Sequence, residues 1–258
     1  VSLLAHPTAV IDGAAQLGRE VEVGPYVVIG PDVEVGDGCR LGPHVVLEQN
    51  VRLGSGVQLG AGVVLGSPPQ DTKYQGEETW VEVGPRTVIR EYATVNRGTA
   101  ASGVTSIGAD CFLMTYVHVA HDCRIGDGVT IANSTQLSGH ITVEAQAFLS
   151  GLIAVHQFVT IGTHAFIGGA SRVSQDVPPY VRAVGNPLRL CGLNSVGLTR
   201  AGFSAEVLSG LKHAYRLLFN DARPRAAALA GLPSEIARLP EVARLIDFVA
   251  AARRGVPA

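Results

Sequence analysis

The chain has 258 residues, of which 47% are hydrophobic, 16% charged and 5% aromatic, with 31 glycines and a formal net charge of −2. That bounds it to one large domain, or one domain with a smaller appendage, and no run approaches the ~18 consecutive apolar residues of a membrane span. So many glycines beside so few aromatics exclude a packed helical bundle; the four cysteines, Cys39, Cys111, Cys123 and Cys191, form no C-x-x-C pair and suggest neither a zinc knuckle nor a disulfide frame.

In chain order, residues 1–7 lack the basic and apolar regions of a secretory signal, so a cytoplasmic protein is expected, with no nucleic-acid partner. From Ile11 every sixth residue is aliphatic: Leu17, Val23, Ile29, Val35, Leu41 and onward. Of the 28 such positions up to Val173, 25 are Val, Ile or Leu. The exceptions, Asp71, Glu77 and Ala101, fall in two interruptions at about 66–82 and 97–106. A second apolar set runs two residues earlier, through Val21, Val27, Val33, Cys39 and Val45, which is the period of a strand. A helix would rotate about 240° at each such step and scatter these side chains. Short strands joined by turns bury them all along one axis. Glycine after the aliphatic position would let the chain turn the corner. The pattern resembles the hexapeptide-repeat proteins, and this resemblance implies an all-β, left-handed parallel β-helix with three hexads to each coil. Cys39, Cys111 and Cys123 then become small buried hydrophobes.

Beyond 175 the period is lost and the charge changes sign. Residues 1–175 carry nine basic and sixteen acidic side chains, net −7; residues 176–258 carry eleven and six, net +5. This places a β-helix over 1–175 and a connection with a small helical domain over 176–258. Ser204 is placed to cap a helix whose Val207, Leu208, Leu211, Tyr215 and Leu218 form one stripe. Pro240 opens another, with Val242, Leu245, Ile246 and Val249 apolar.

If residues three hexads apart stack about 4.8 Å from one another, His121, Gly139 and Gln157 share a face, flanked by His140 and His156, with His118 half a hexad away. A polar ladder on an otherwise aliphatic prism reads as a site. Three classes of function compete for it. A zinc lyase resembling γ-type carbonic anhydrase would need a third ligand from His140 or His156 beside His118 and His121, and Asp122 next to His121 better suits a base pair. A non-catalytic scaffold would leave the ladder as mere solvated surface. A transferase would use it.

The segments TYVHVAHDC (115–123), LSGH (137–140), AVHQF (154–158), QDTKYQGE (70–77), NRGT (96–99), QDVPPY (175–180) and GFS (202–204) carry a closer resemblance. Over nearly its whole length the chain is similar to the acyl-carrier-protein:UDP-N-acetylglucosamine O-acyltransferases that begin lipid A synthesis. What this implies is transfer of a 3-hydroxyacyl group from a carrier thioester to the glucosamine 3-hydroxyl of UDP-N-acetylglucosamine. His121 matches the general base, Asp122 the carboxylate that orients it, and Gly139 the backbone N–H that stabilises the oxyanion. Asp71, His118, His140, His156, Gln157, Asn194 and Arg200 match sugar-nucleotide positions; Gln70, Lys73 and Gly169 match acyl-chain positions. The implied partners are the acyl carrier protein and two further copies of the chain in a homotrimer, with no metal or other cofactor required. Asn96 stands where some relatives have His, and Val196 and Ala201 replace polar or charged neighbours. The later lipid A N-acyltransferases are the nearest alternative, but usually carry an extra N-terminal domain where here the hexads begin by Ile11. Arg189, Lys212, Arg216, Arg223 and Arg225 give the tail a basic character suited to an acidic carrier.

Overall fold

Each hexad contributes one short strand, and three successive hexads close a coil. In the computed structural model, which describes residues 4–220 and 224–257, Leu4 pairs in parallel with Glu22, Val10 with Val28 and Gln16 with Glu34, each partner lying three hexads further along the chain. The strands stack into three parallel faces of a prism, beginning respectively at Leu4–Ala5, Val10–Ile11 and Gln16–Leu17. We call them the first, second and third faces. Both inward sets predicted from the period are buried: Val21, Val27, Val33 and Cys39 are fully shielded, as are Ile29, Leu47, Leu65 and Ile131 to within 1%. Cys111 and Cys123 join them, and burial pushes the Cys123 thiol up to about 12, which removes it from thiolate chemistry.

The interruptions are whole hexads. Val51 pairs with Val81 and Val64 with Thr94, five hexads apart instead of three, so the first insertion adds two hexads to a coil. Val88 pairs with Phe112 and Thr94 with His118, four hexads apart, so the second adds one. Because both insertions are whole repeats, the aliphatic lattice passes through them in phase. Both leave the prism at the edge between its second and third faces, where Val64–Ser67 hands over to Trp80–Val83 and Thr94–Asn96 to Val104–Ile107.

One expectation needs correcting. Apart from Gly66 (φ 85°), where the first insertion leaves the prism, the glycines after the aliphatic positions do not supply a left-handed turn. That conformation falls two residues later in the hexad, at Tyr26, His44, Asp122, His140 and Phe158, with φ between 57° and 65°. The glycines are needed instead because coils approach closely: a Cβ on Gly24 would sit 2.9 Å from Leu41 O, and one on Gly30 would land on Glu48 O.

Stacking continues past residue 175. Val177 bridges Ile161, and the strand Val181–Val184 lies parallel on Phe166–Ile167 before pairing antiparallel with Arg189–Leu193. The step in composition at 176 therefore falls inside the last coil. Among the described residues five helices follow: α1 Ser195–Arg200, α2 Ala205–Phe219, α3 Arg225–Leu229, α4 Ser234–Ala237 and α5 Pro240–Ala251. Ser204 caps α2 by accepting from Val207 N (3.2 Å), and Pro240 opens α5, as the sequence predicts. Leu211, Leu218, Val242 and Leu245 form a second core with Tyr180 and Leu198, and Leu193 and Phe219 pack against both this core and that of the prism. The chain end closes the prism: buried Asp176 accepts from Thr160 N (2.8 Å) and Arg254 N (3.1 Å), and its own N–H donates to Gly255 O (2.9 Å).

Candidate active site

His121 and Asp122 form the corner between the strands His118–Val119 and Arg124–Ile125, on the edge from which both insertions leave. The stacking rule places Gly139 over His121 and His140 over Asp122, and the structure bears it out. The His121 ring lies against Gly139: a Cβ there would be 2.5 Å from Cε1 and 2.6 Å from Nε2 of the ring. The ring meets His140 edge-on at 5.0 Å, and His140 stacks in turn on Phe158 at 4.5 Å. The Gly139 N–H donates to no group among the described residues.

Asp122 is the anchor. Its side chain is 1% exposed, and Oδ2 lies 2.7 Å from His121 Nδ1 and 3.7 Å from His140 Nε2. Thr99 donates from N (3.0 Å) to Oδ1 and from Oγ1 (2.8 Å) to Oδ2, and Ser102 Oγ donates to Oδ1. Burial works to raise this carboxyl group, yet the hydrogen bonds from Ser102, His121 and Thr99 outweigh it and hold the pKa at about 2. An ionised acceptor at Oδ2 makes Nδ1 the protonated ring nitrogen of His121 and leaves Nε2 with a lone pair. His118, one strand earlier, sits 2.7 Å from Thr94 Oγ1; burial and then the neighbouring His121 push its pKa down, so it is neutral at pH 7.

Ligand atoms of His121, Asp122 and His140 lie within 4.8 Å of one another. The carboxylate oxygens, however, are already taken by four donors, and neither His118 nor His156 belongs to the group. The arrangement is that of an oriented imidazole rather than a zinc centre.

Other sequence-derived positions lie apart. Gln70, Asp71 and Lys73 are on the first insertion at the same edge, two coils nearer the N-terminus, and Asp71 Oδ1 accepts from Lys73 N (2.9 Å). His156 and Gln157 are exposed beside Phe158, with His156 Nδ1 turned to the Gln157 carbonyl (3.1 Å). Asn194 and Arg200 are elsewhere. Asn194 caps α1 by accepting from Gly197 N (3.2 Å) and donates to His164 O (3.1 Å). With Arg200 it lines an open groove of about 710 Å³ against Phe148, Phe166 and Arg182 on the first face. Gly169 stands on the edge between the first and second faces, with room at its Cβ position limited by Gly151 O at 3.3 Å. Within one chain, these three residues do not join the histidine ladder. Arg223 lies outside the described residues, as does the side chain of Arg225; Arg189, Lys212 and Arg216 are exposed.

Comparison with known proteins bears directly on this arrangement. The bacterial transferase hexapeptide model matches residues 14–49 and 105–139, and the model of the second domain of UDP N-acetylglucosamine O-acyltransferase matches 176–257. The acyl-[acyl-carrier-protein]–UDP-N-acetylglucosamine O-acyltransferase of Paracidovorax citrulli is 53% identical, covering 97% of this chain and 98% of the relative. That of Thiobacillus denitrificans is 48% identical over the same shares. The chain belongs to the UDP-N-acetylglucosamine O-acyltransferase family. Solved structures of the family superpose closely: that of Bacteroides fragilis has a TM-score of 0.95 at 36% identity, covering 98% of this chain and 99% of the other. That of Acinetobacter baumannii has 0.94 at 38%, covering 99% and 100%. The coil is accordingly left-handed, and the carbonic anhydrase and N-acyltransferase readings fall away.

For this family member the residue-level reading missed Thr94, Thr99, Ser102, Thr105 and Phe158 as partners of the site. Phe158 was recoverable, standing one coil beyond His140. Ser102 was not, because it stands in an insertion where the stacking rule does not apply. Helix α1 also went unread; it is too short to show a period.

Proposed function

We propose that the chain moves a 3-hydroxyacyl group from the thioester of an acyl carrier protein to the glucosamine 3-hydroxyl of UDP-N-acetylglucosamine, the first step of lipid A synthesis. The observation that carries this is the His121 ring, tied at Nδ1 to a buried carboxylate and laid over Gly139. A sugar hydroxyl is a poor nucleophile at neutral pH. Nε2 of His121 takes its proton as the oxygen attacks the thioester carbonyl. The negative charge that develops on the carbonyl oxygen accepts a hydrogen bond from the Gly139 N–H. The C–S bond then breaks, and the proton passes from His121 to the departing thiolate. Asp122 stabilises the imidazolium in between.

Separation of the ladder from Asn194, Arg200 and Gly169 supports a site shared between copies. Packed side by side as a homotrimer, one chain's ladder faces the groove of its neighbour, where Arg200 suits a diphosphate, and Gly169, on the adjoining edge, leaves space for an acyl chain. A cytoplasmic location goes with this reading.

The test is His121→Ala with UDP-N-acetylglucosamine and a panel of hydroxyacyl carriers, product read by mass spectrometry. Turnover is expected to fall at least ~100-fold with sugar-nucleotide binding kept within a few-fold. Near-normal turnover would exclude His121 as the base, and sedimentation of an active monomer would overturn the shared site.

A further inference from the structure

The second insertion adds a hexad to a coil that does not need it to keep its register. Two of its residues reach the ladder, and their three hydrogen bonds all go to one carboxylate. Thr99, at the start of the excursion, reaches both oxygens of Asp122, and Ser102, near its end, reaches Oδ1. We infer that Ser102, together with Thr99, is a positioning residue that fixes the Asp122 carboxylate behind His121, and that the insertion serves to deliver these donors. This rests on the reading of His121 as the base.

The geometry explains why such a device is needed. Asp122 occupies a corner with φ of 60°, at the point where the chain turns from one face to the next. The backbone fixes where Cα sits but not how the carboxylate rotates. Oδ2 has two imidazoles within reach, His121 Nδ1 at 2.7 Å and His140 Nε2 at 3.7 Å. Left to itself, the carboxylate could swing between them. Donors from the insertion occupy both oxygens and hold Oδ2 on His121. The Ser102 hydroxyl has a competing acceptor in Val104 O at 2.9 Å, but its single proton goes preferentially to the charged oxygen. Thr105 Oγ1 completes the frame by accepting from Asp122 N (2.8 Å). The depressed pKa of Asp122 is a consequence of the same donors. A carboxylate so held keeps His121 as the single tautomer with Nε2 unprotonated, the form a base requires.

Imidazole ¹⁵N resonances of the native protein are expected to show His121 protonated at Nδ1 alone. In Thr99→Val/Ser102→Ala they should show a mixture of tautomers. Ser102→Ala is expected to lower kcat about 10-fold and the double variant about 100-fold, with KM for UDP-N-acetylglucosamine within about two-fold. Ser102→Thr, which keeps the hydroxyl, should recover kcat to within about three-fold and controls for folding. In a His121→Ala background, Ser102→Ala should have no further effect on the residual rate. If the double variant keeps a single tautomer and native kcat, the positioning role is wrong. If His121→Ala is itself fully active, the base assignment fails, while the tautomer measurement still decides whether the insertion orients the ring.

Discussion

The prism and the helical tail are held together by different physics. In the prism each coil stacks its strands on the coils above and below, and one rule, an aliphatic side chain every sixth residue, serves the whole length. In the tail nothing repeats: Asn194 ties α1 to the His164 carbonyl, Arg244 reaches back to Glu144 (3.0 Å), and Phe203 meets the rings of His164 and Tyr180. A repeating core leaves no room for a special residue inside. Chemistry is therefore confined to the corners and to places where the repeat is interrupted, and the candidate active site is built from both.

The largest effect is expected at the corner itself. Gly139→Ala puts a methyl group into the space of the His121 ring, so kcat should fall by about 100-fold or more while the melting temperature stays near that of the native protein. A fully active Gly139→Ala would show that the ring does not need its observed place. Next come the two cores. Ile131→Ala in the prism and Leu245→Ala in the tail each remove a fully buried side chain and should each cost about 2–5 kcal/mol. If the tail can melt on its own in spite of the contacts at Leu193 and Phe219, Leu245→Ala splits the thermal transition in two and Ile131→Ala does not. One shared transition in both variants would erase the distinction.

A smaller effect sharpens the difference in charge. Reversing Lys212 and Arg216 to Glu on the basic tail is expected to raise KM for the acidic carrier several-fold, leaving KM for the sugar nucleotide nearly unmoved. Added salt should shrink the difference, since exposed charges are screened over ~8–10 Å at physiological ionic strength. An unchanged carrier KM at low salt would remove the tail as a dock. The smallest effect concerns pH. Burial lowers the pKa of His118 on the prism and, with Arg244 adding to it, that of His164 beneath the tail. The unfolded chain then binds more protons than the native one between the lowered values and 6.5. Stability should be full above about pH 6.5 and decline as pH falls through that window. His118→Asn should flatten part of that slope, and an unaltered slope would assign it elsewhere.

The sequence alone determined the prism. A period of six in aliphatic side chains calls for short stacked strands, and the three-hexad coil that the family resemblance implies then brings Gly139 to His121 and His140 to Asp122 by arithmetic. It also marked the interruptions, the cap at Ser204 and the start of α5 at Pro240, because these signals are local. Only the tertiary structure decided what the interruptions do. Inside an insertion the stacking rule lapses, so nothing in the spacing of Thr99 and Ser102 tells that they close on Asp122. Nor could spacing show that Asn194, Arg200 and Gly169 stand on other edges than His121, or that the chain end at Arg254 and Gly255 returns to seal Asp176. These contacts are set by the path of non-repeating backbone through space. A periodic sequence specifies its neighbours along the axis, while an aperiodic one meets its partners only after the whole chain has folded.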